Sequence, residues 1–137
     1  MNKTLLILLA PFFLLAESAT DIQISWAKQH NLFQKGYFKS NEERFIKLVE
    51  EGQSPKTLFI GCSDSRVVPE LITDARPGDI FVIRNAGNFV PTNDAKIEWD
   101  GIAASIQYAI EVLNVKEIIV CGHSHCGAID GVLAPNK

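Results

Sequence analysis

Six residues, Gly61-Cys62-Ser63-Asp64-Ser65-Arg66, bring a thiol, a carboxylate and a guanidinium together in a few steps of chain. Arg and Asp rarely enter a protein interior unless paired, so folding alone does not account for this crowding. A second cluster, Gly122-His123-Ser124-His125-Cys126-Gly127, spaces an imidazole and a thiol as H-x-x-C, which lets both reach one ion from a single turn. Two thiolates and an imidazole are donors that zinc favours, and a catalytic zinc keeps three protein ligands and one open position. Cys62, His123 and Cys126 are the candidate ligands. Cys126 also stands where a helix begins, and the helix dipole there favours thiolate. Asp64, beside Arg66, stays ionised and fixed in direction. It could accept a hydrogen bond from a zinc-bound hydroxide formed near neutral pH, or swing off Arg66 and close the open position itself.

The same residues allow other outcomes. Three cysteines in an exported chain permit one disulfide, here Cys62 with Cys126, and one free thiol. Asp64 and Arg66 could be a structural ion pair. His125 reads as a non-ligand pointing elsewhere, although a different register would exchange it for His123. Cys121, inside an apolar run, reads as a small buried residue. His30 has no cysteine or carboxylate at ligand spacing and reads as a surface or packing histidine.

The elements that must hold these clusters alternate. Thr57-Leu58-Phe59-Ile60, Ile80-Phe81-Val82-Ile83 and Glu117-Ile118-Ile119-Val120-Cys121 are apolar runs of strand length, the first two read as buried. Helical patterns separate them. Residues 22–39 read as one or two amphipathic helical pieces whose aromatics must pack on something, such as a neighbouring subunit. Ser40-Asn41-Glu42-Glu43 has the form of a capping box opening a helix to about Glu51, with Phe45, Leu48 and Val49 as its apolar stripe. Val67 to Thr73 forms a short helical turn with Pro69 near its start. Arg76-Pro77-Gly78-Asp79 has the signature of a type II turn. Ile102, Ile106, Ala109, Ile110 and Leu113 follow helical spacing up to Asn114, and another helix starts at Ala128. Such alternation predicts an α/β fold, a parallel sheet with flanking helices, preceded by an N-terminal helical arm. Cys62 and the His123–Cys126 cluster then both follow strand ends, where ligands bind in open α/β sheets.

At 137 residues the chain has the length of one domain, and 47% hydrophobic with 21% charged residues is ordinary for a globular core. A net charge of −3 excludes the basic footprint of a nucleic-acid binder. Lys3, an apolar run from Thr4 to Leu15 and the small residues Ala16 and Ser18 form a secretory signal pattern over residues 1–18, the alternatives being an uncleaved membrane anchor or a buried N-terminal helix. The run is shorter than the ~20 residues needed to span a bilayer, so no stable membrane span is expected after cleavage. Residues 19–137 are then a single domain, periplasmic or secreted. With three strands, an uncovered sheet edge and a last helix barely begun, that domain reads as incomplete at its C-terminus.

Cys62-Ser63-Asp64-Ser65-Arg66 with Gly122-His123-Ser124-His125-Cys126-Gly127 resembles the β-class carbonic anhydrases. Arg76-Pro77-Gly78-Asp79 and Arg84-Asn85-Ala86-Gly87-Asn88 match that family's intervening segments, and the likeness runs from about Ser40 to Leu133. The resemblance implies Zn2+ held by Cys62, His123 and Cys126. It implies a catalytic Asp64–Arg66 dyad, with Asp64 a fourth ligand only in a closed form. It also implies that Gln53, Phe81 and Tyr108 bind CO2 or bicarbonate, and that a homodimer or higher homo-oligomer shares the pocket between subunits. The implied activity is reversible CO2 hydration to bicarbonate. The alternatives are hydrolysis of CS2 or COS on the same scaffold, or a non-catalytic zinc- or thiol-binding fragment. No proton shuttle is identifiable; His125 is a candidate by residue type only.

Overall fold

A computed structural model of the chain describes residues 20–92 and 100–134. The signal pattern over residues 1–18 and most of the irregular stretch from Pro91 to Asp100 lie outside the described residues. By its internal contacts the chain forms two compact units, Met1–Lys47 and Leu48–Lys137.

In the first unit, one helix, α1, runs over residues 20–33 and continues through a wider π-helical turn at Gln34–Phe38. The two pieces allowed by the sequence are thus one. Its aromatic side chains pack on one another: Phe33 stacks on Tyr37 with ring centres 5.9 Å apart, and Phe38 lies 4.7 Å from Phe45. His30 stacks on Phe33 at 6.3 Å, the packing histidine the sequence suggested. Helix α2 spans Glu42–Glu50. The predicted capping box does not start it, because Ser40 is still helical and the break comes one residue later at Asn41. Asn41 donates its side-chain amide to the Tyr37 carbonyl at 2.8 Å, and Lys39 pairs with Glu42 across the break. Val49, assigned to the apolar stripe, is 85% exposed; Phe45 and Leu48 are half-buried.

The second unit is built on three parallel strands. Strand β1 (Thr57–Cys62) lies between β2 (Ile80–Asn85) and β3 (Glu117–Cys121). The middle position decides burial. Leu58, Phe59 and Ile60 are almost fully enclosed, whereas β2, expected to be buried, is mostly half-buried and β3 is exposed from Glu117 to Val120. Ile118, Ile119 and Val120 all lie open on the edge strand. Cys121, read as buried, is half-buried for the same reason.

Leu58, Ile60, Ile83 and Ala109 form the core, with Phe81, Ile102, Ile106 and Val115 packed around it. Helix α4 (Gly101–Gln107) opens with Asp100, whose carboxylate accepts from the Ile102 and Ala103 amides. It runs into a π-helical turn at Tyr108–Val112 and stops at Asn114, which takes a left-handed φ of 54°. Pro69–Thr73 forms the short helix α3. The Pro77-Gly78 turn forms as the sequence indicates, with Gly78 at φ 91° and the Asp79 amide donating to the Arg76 carbonyl at 3.0 Å. Helix α5 (Gly127–Leu133) begins directly after Cys126. Among the described residues no helix is long and apolar enough to cross a membrane.

Shortening Leu58 to Ala removes packing from the middle of the sheet and should cost about 2–5 kcal/mol in urea unfolding. Val49→Ala, on an exposed face, should stay within about 0.5 kcal/mol. Equal losses at the two positions would contradict this placement of the core.

Candidate metal centre

Parallel pairing aligns Gly61 of β1 with Cys121 of β3, so the residues that follow each strand leave the sheet side by side. Cys62 ends β1, and the turn 123–126 after β3 returns Cys126 towards it. His125 makes that turn possible by adopting a left-handed φ of 53°. The result joins residues more than fifty positions apart. One donor atom each from Cys62, His123 and Cys126 lies within 4.8 Å of the others.

The three cysteines are free thiols, so the disulfide alternative does not hold here. The Cys62 and Cys126 sulfurs are 3.8 Å apart. Two sulfurs bound to one tetrahedral zinc at ~2.3 Å would stand ~3.8 Å apart, so the pair already has the spacing of a shared ion. His123 completes the fit. Its Nδ1 lies 3.0 Å from the Ser124 carbonyl, which favours the tautomer with the proton on Nδ1 and the lone pair on Nε2. That Nε2 is buried and, among the described residues, has no hydrogen-bond partner. A buried polar atom without a partner is costly, and a cation between it and the two sulfurs would satisfy it. His125 is not in the cluster; its contribution is a backbone carbonyl that accepts from Arg66 Nη2 at 3.3 Å.

Electrostatics sharpen the site. The Cys62 thiol is pulled down to about 7 from an ordinary 9.0, first by the Asp64 amide and then by the Gly87 amide, each 3.4 Å from its sulfur, with burial opposing. His123 is held above its ordinary range, first by the Cys62 sulfur, against burial. Asp64 sits beside this cluster with its carboxylate gripped by Arg66. Oδ1 accepts from Nε at 2.8 Å and from the Arg66 amide at 3.0 Å, and Oδ2 accepts from Nη2 at 2.8 Å. The guanidinium holds the carboxyl well below the usual carboxylate range, and the carboxylate raises Arg66 in return. Asp64 Oδ2 is 3.7 Å from His123 Nε2, so the ionised oxygen borders the donor cluster while still bound to Arg66. This is the arrangement with Asp64 turned to arginine rather than serving as a ligand.

Gln53, Phe81 and Tyr108 are not part of this grouping. Phe81 and Tyr108 do meet, with ring centres 5.9 Å apart. Phe81 is paired with Leu58, however, four residues short of the Asn85 that pairs with Cys62. At about 3.3 Å per residue that places it ~13 Å back along the strand. Gln53 precedes the amino end of β1, whereas Cys62 closes the carboxyl end.

The family model for carbonic anhydrase matches residues 57–137. The chain belongs to the β-class carbonic anhydrase family. A carbonic anhydrase of Synechocystis sp. is 52% identical over 105 residues, covering 77% of this chain and 37% of the relative. One from Pseudomonas aeruginosa is 50% identical over 100 residues, covering 73% and 44%. The solved β-carbonic anhydrase CcaA superposes with a TM-score of 0.77 at 47% identity, over 82% of this chain and 49% of that one. A tetrameric β-carbonic anhydrase of Sordaria macrospora gives 0.67 at 37% identity, over 84% and 56%. The chain therefore spans about half or less of the length of these relatives.

Arg66→Met should return Asp64 towards the ordinary carboxylate range, read from the pH dependence of its carboxyl carbon by NMR on the metal-free protein. Because the folded value is depressed, the stability Asp64 contributes is present above 3.8 and lost as pH falls through the lowered value. The variant should show less of this acid-side loss. An Asp64 titration unmoved by removing Arg66 would contradict the pairing.

Proposed function

We propose that the protein containing this chain is a zinc-dependent carbonate dehydratase that interconverts CO2 and bicarbonate. The observation that carries this reading is the Cys62–His123–Cys126 cluster, with two sulfurs at the spacing of a shared ion and a buried imidazole nitrogen without a partner, bordered by an arginine-held carboxylate. Zinc in such a site is a Lewis acid that brings a water's pKa to ~7 and so supplies a nucleophile at neutral pH. Cys62, His123 and Cys126 would hold it, and Asp64 and Arg66 would serve catalysis.

Asp64 has the properties of an orienting acceptor. Its low pKa keeps it ionised throughout the physiological range, so it can only accept a hydrogen bond there. Arg66 fixes the direction in which it accepts and, by competing for both oxygens, keeps it from becoming a fourth ligand. If the pair separated, Asp64 would be free to close the site. Family membership supports CO2 as substrate. Gln53, Phe81 and Tyr108 lie towards the other end of the strands, so in this reading they line the substrate pocket of a second copy in a homodimer or larger homo-oligomer. Residues 1–18 act as an export signal in the same proposal, placing the enzyme in the periplasm or outside the cell.

Full-length protein should contain one zinc per chain and catalyse CO2 hydration in a stopped-flow pH-indicator assay. Cys62→Ser should lose most of the zinc. Asp64→Asn should keep the zinc and lose roughly 10²-fold or more of the rate, the usual scale for a positioned acid–base group. Zinc-loaded protein that hydrolyses CS2 or COS without hydrating CO2, or that does neither, would contradict the assignment. Exported protein should begin near residue 19 by mass; retention of residues 1–18 would contradict the signal reading.

A further inference from the structure

Arg84 is the last residue but one of β2, and its side chain reaches across to the segment that carries the dyad. The guanidinium donates to three backbone carbonyls: Nε to Cys62 at 3.1 Å, and Nη2 to Asp64 at 2.8 Å and to Val67 at 2.6 Å. Among the described residues no carboxylate pairs with it. Those carbonyls belong to the residue bearing one candidate ligand, the residue bearing the orienting carboxylate, and the residue that closes the turn. The Val67 amide also donates to the Asp64 carbonyl at 3.0 Å, so Arg84 braces a turn that is closed by a backbone hydrogen bond of its own. A planar guanidinium presents several donors in fixed directions, which suits it to gather carbonyls that point different ways.

We propose that Arg84 is a positioning residue: it fixes the Cys62–Val67 turn, and through it the direction of the Cys62 sulfur and the Asp64 carboxylate. Its guanidinium holds main-chain carbonyls rather than any of the three candidate donor atoms. The part of this proposal that concerns zinc rests on the reading of the cluster as a zinc site; the part that concerns the turn does not. Partners that orient a ligand from outside the donor set typically change metal affinity 10–100-fold when removed.

The test uses the full protein and the variants Arg84→Met and Arg84→Lys. In metal-free protein, amide exchange at Ser63, Arg66 and Val67 should quicken at least tenfold in Arg84→Met while the amides of β1 keep their protection. Zinc affinity, measured by chelator competition, should fall 10–100-fold, and the cobalt-substituted site should show a shifted absorption spectrum. Arg84→Lys keeps the charge and carries the same test if the methionine variant does not fold. A single ammonium cannot replace the fork, so it too should lose affinity by at least tenfold. Unchanged exchange in the turn overturns the proposal whatever metal the protein binds. A loosened turn with unaltered zinc affinity and cobalt spectrum overturns it as well, because Arg84 would then be structural only. Wild-type protein that takes up no zinc refutes the zinc reading and removes the affinity half of this proposal, while the exchange result still judges the turn.

Discussion

Parallel pairing of β1 with β3 is the constraint on which the site depends. Chain entropy keeps Cys62 and Cys126 apart in the unfolded polypeptide, since loop closure over such a separation opposes their meeting. The backbone ladder from Thr57–Glu117 to Gly61–Cys121 removes that freedom. It delivers both strand ends to the same edge of the sheet. A shift of β3 by one residue would turn its side chains to the other face and carry His123 and Cys126 out of reach. The buried segment Leu58-Phe59-Ile60 holds the register, because its large side chains fit only one way in the core.

Within that frame, two arginines divide the labour. Arg66 acts on a side chain, keeping Asp64 ionised and turned aside from the thiols. Arg84 acts on the backbone, gathering the carbonyls of the turn that bears both residues. Neither arrangement needs deep burial. Both gain their precision from forked donors meeting several acceptors at once, which a single point charge would not supply. The exposed edge at Ile118, Ile119 and Val120 belongs to the same architecture, for β3, which positions His123 and Cys126, is one of the two outer strands of the sheet.

Much of this was legible in the amino-acid sequence because soft metal donors are rare and their spacing is restrictive. H-x-x-C after one apolar run and Cys-x-Asp-x-Arg after another leave few structures able to unite them. The alternating elements likewise follow from local pattern, and β3 begins and ends where the apolar run does. What escaped depends on neighbours rather than on local pattern. Three similar apolar runs differ in burial because only one lies in the middle. Ser40 has the form of a cap but sits in a helix that has not yet ended, so its hydroxyl is one residue early. Val49 falls on an apolar stripe by spacing, yet points to solvent. Arg84 stood out only as part of the Arg84–Asn88 segment, with no role attached, since a polar residue at a strand end is ordinary and its three acceptors are main-chain atoms. The spacing of Gln53 and Phe81 from the cluster is equally a property of strand register.

In the proposed enzyme, two sulfurs and one imidazole surround a single zinc and leave one place for a small donor. X-ray absorption at the zinc edge of the purified full-length protein near neutral pH tests it most directly. Two sulfur scatterers near ~2.3 Å, one imidazole nitrogen near ~2.0 Å and one further light donor are expected, as for an open catalytic site. A shell of four sulfurs, or one with fewer than two, would contradict it.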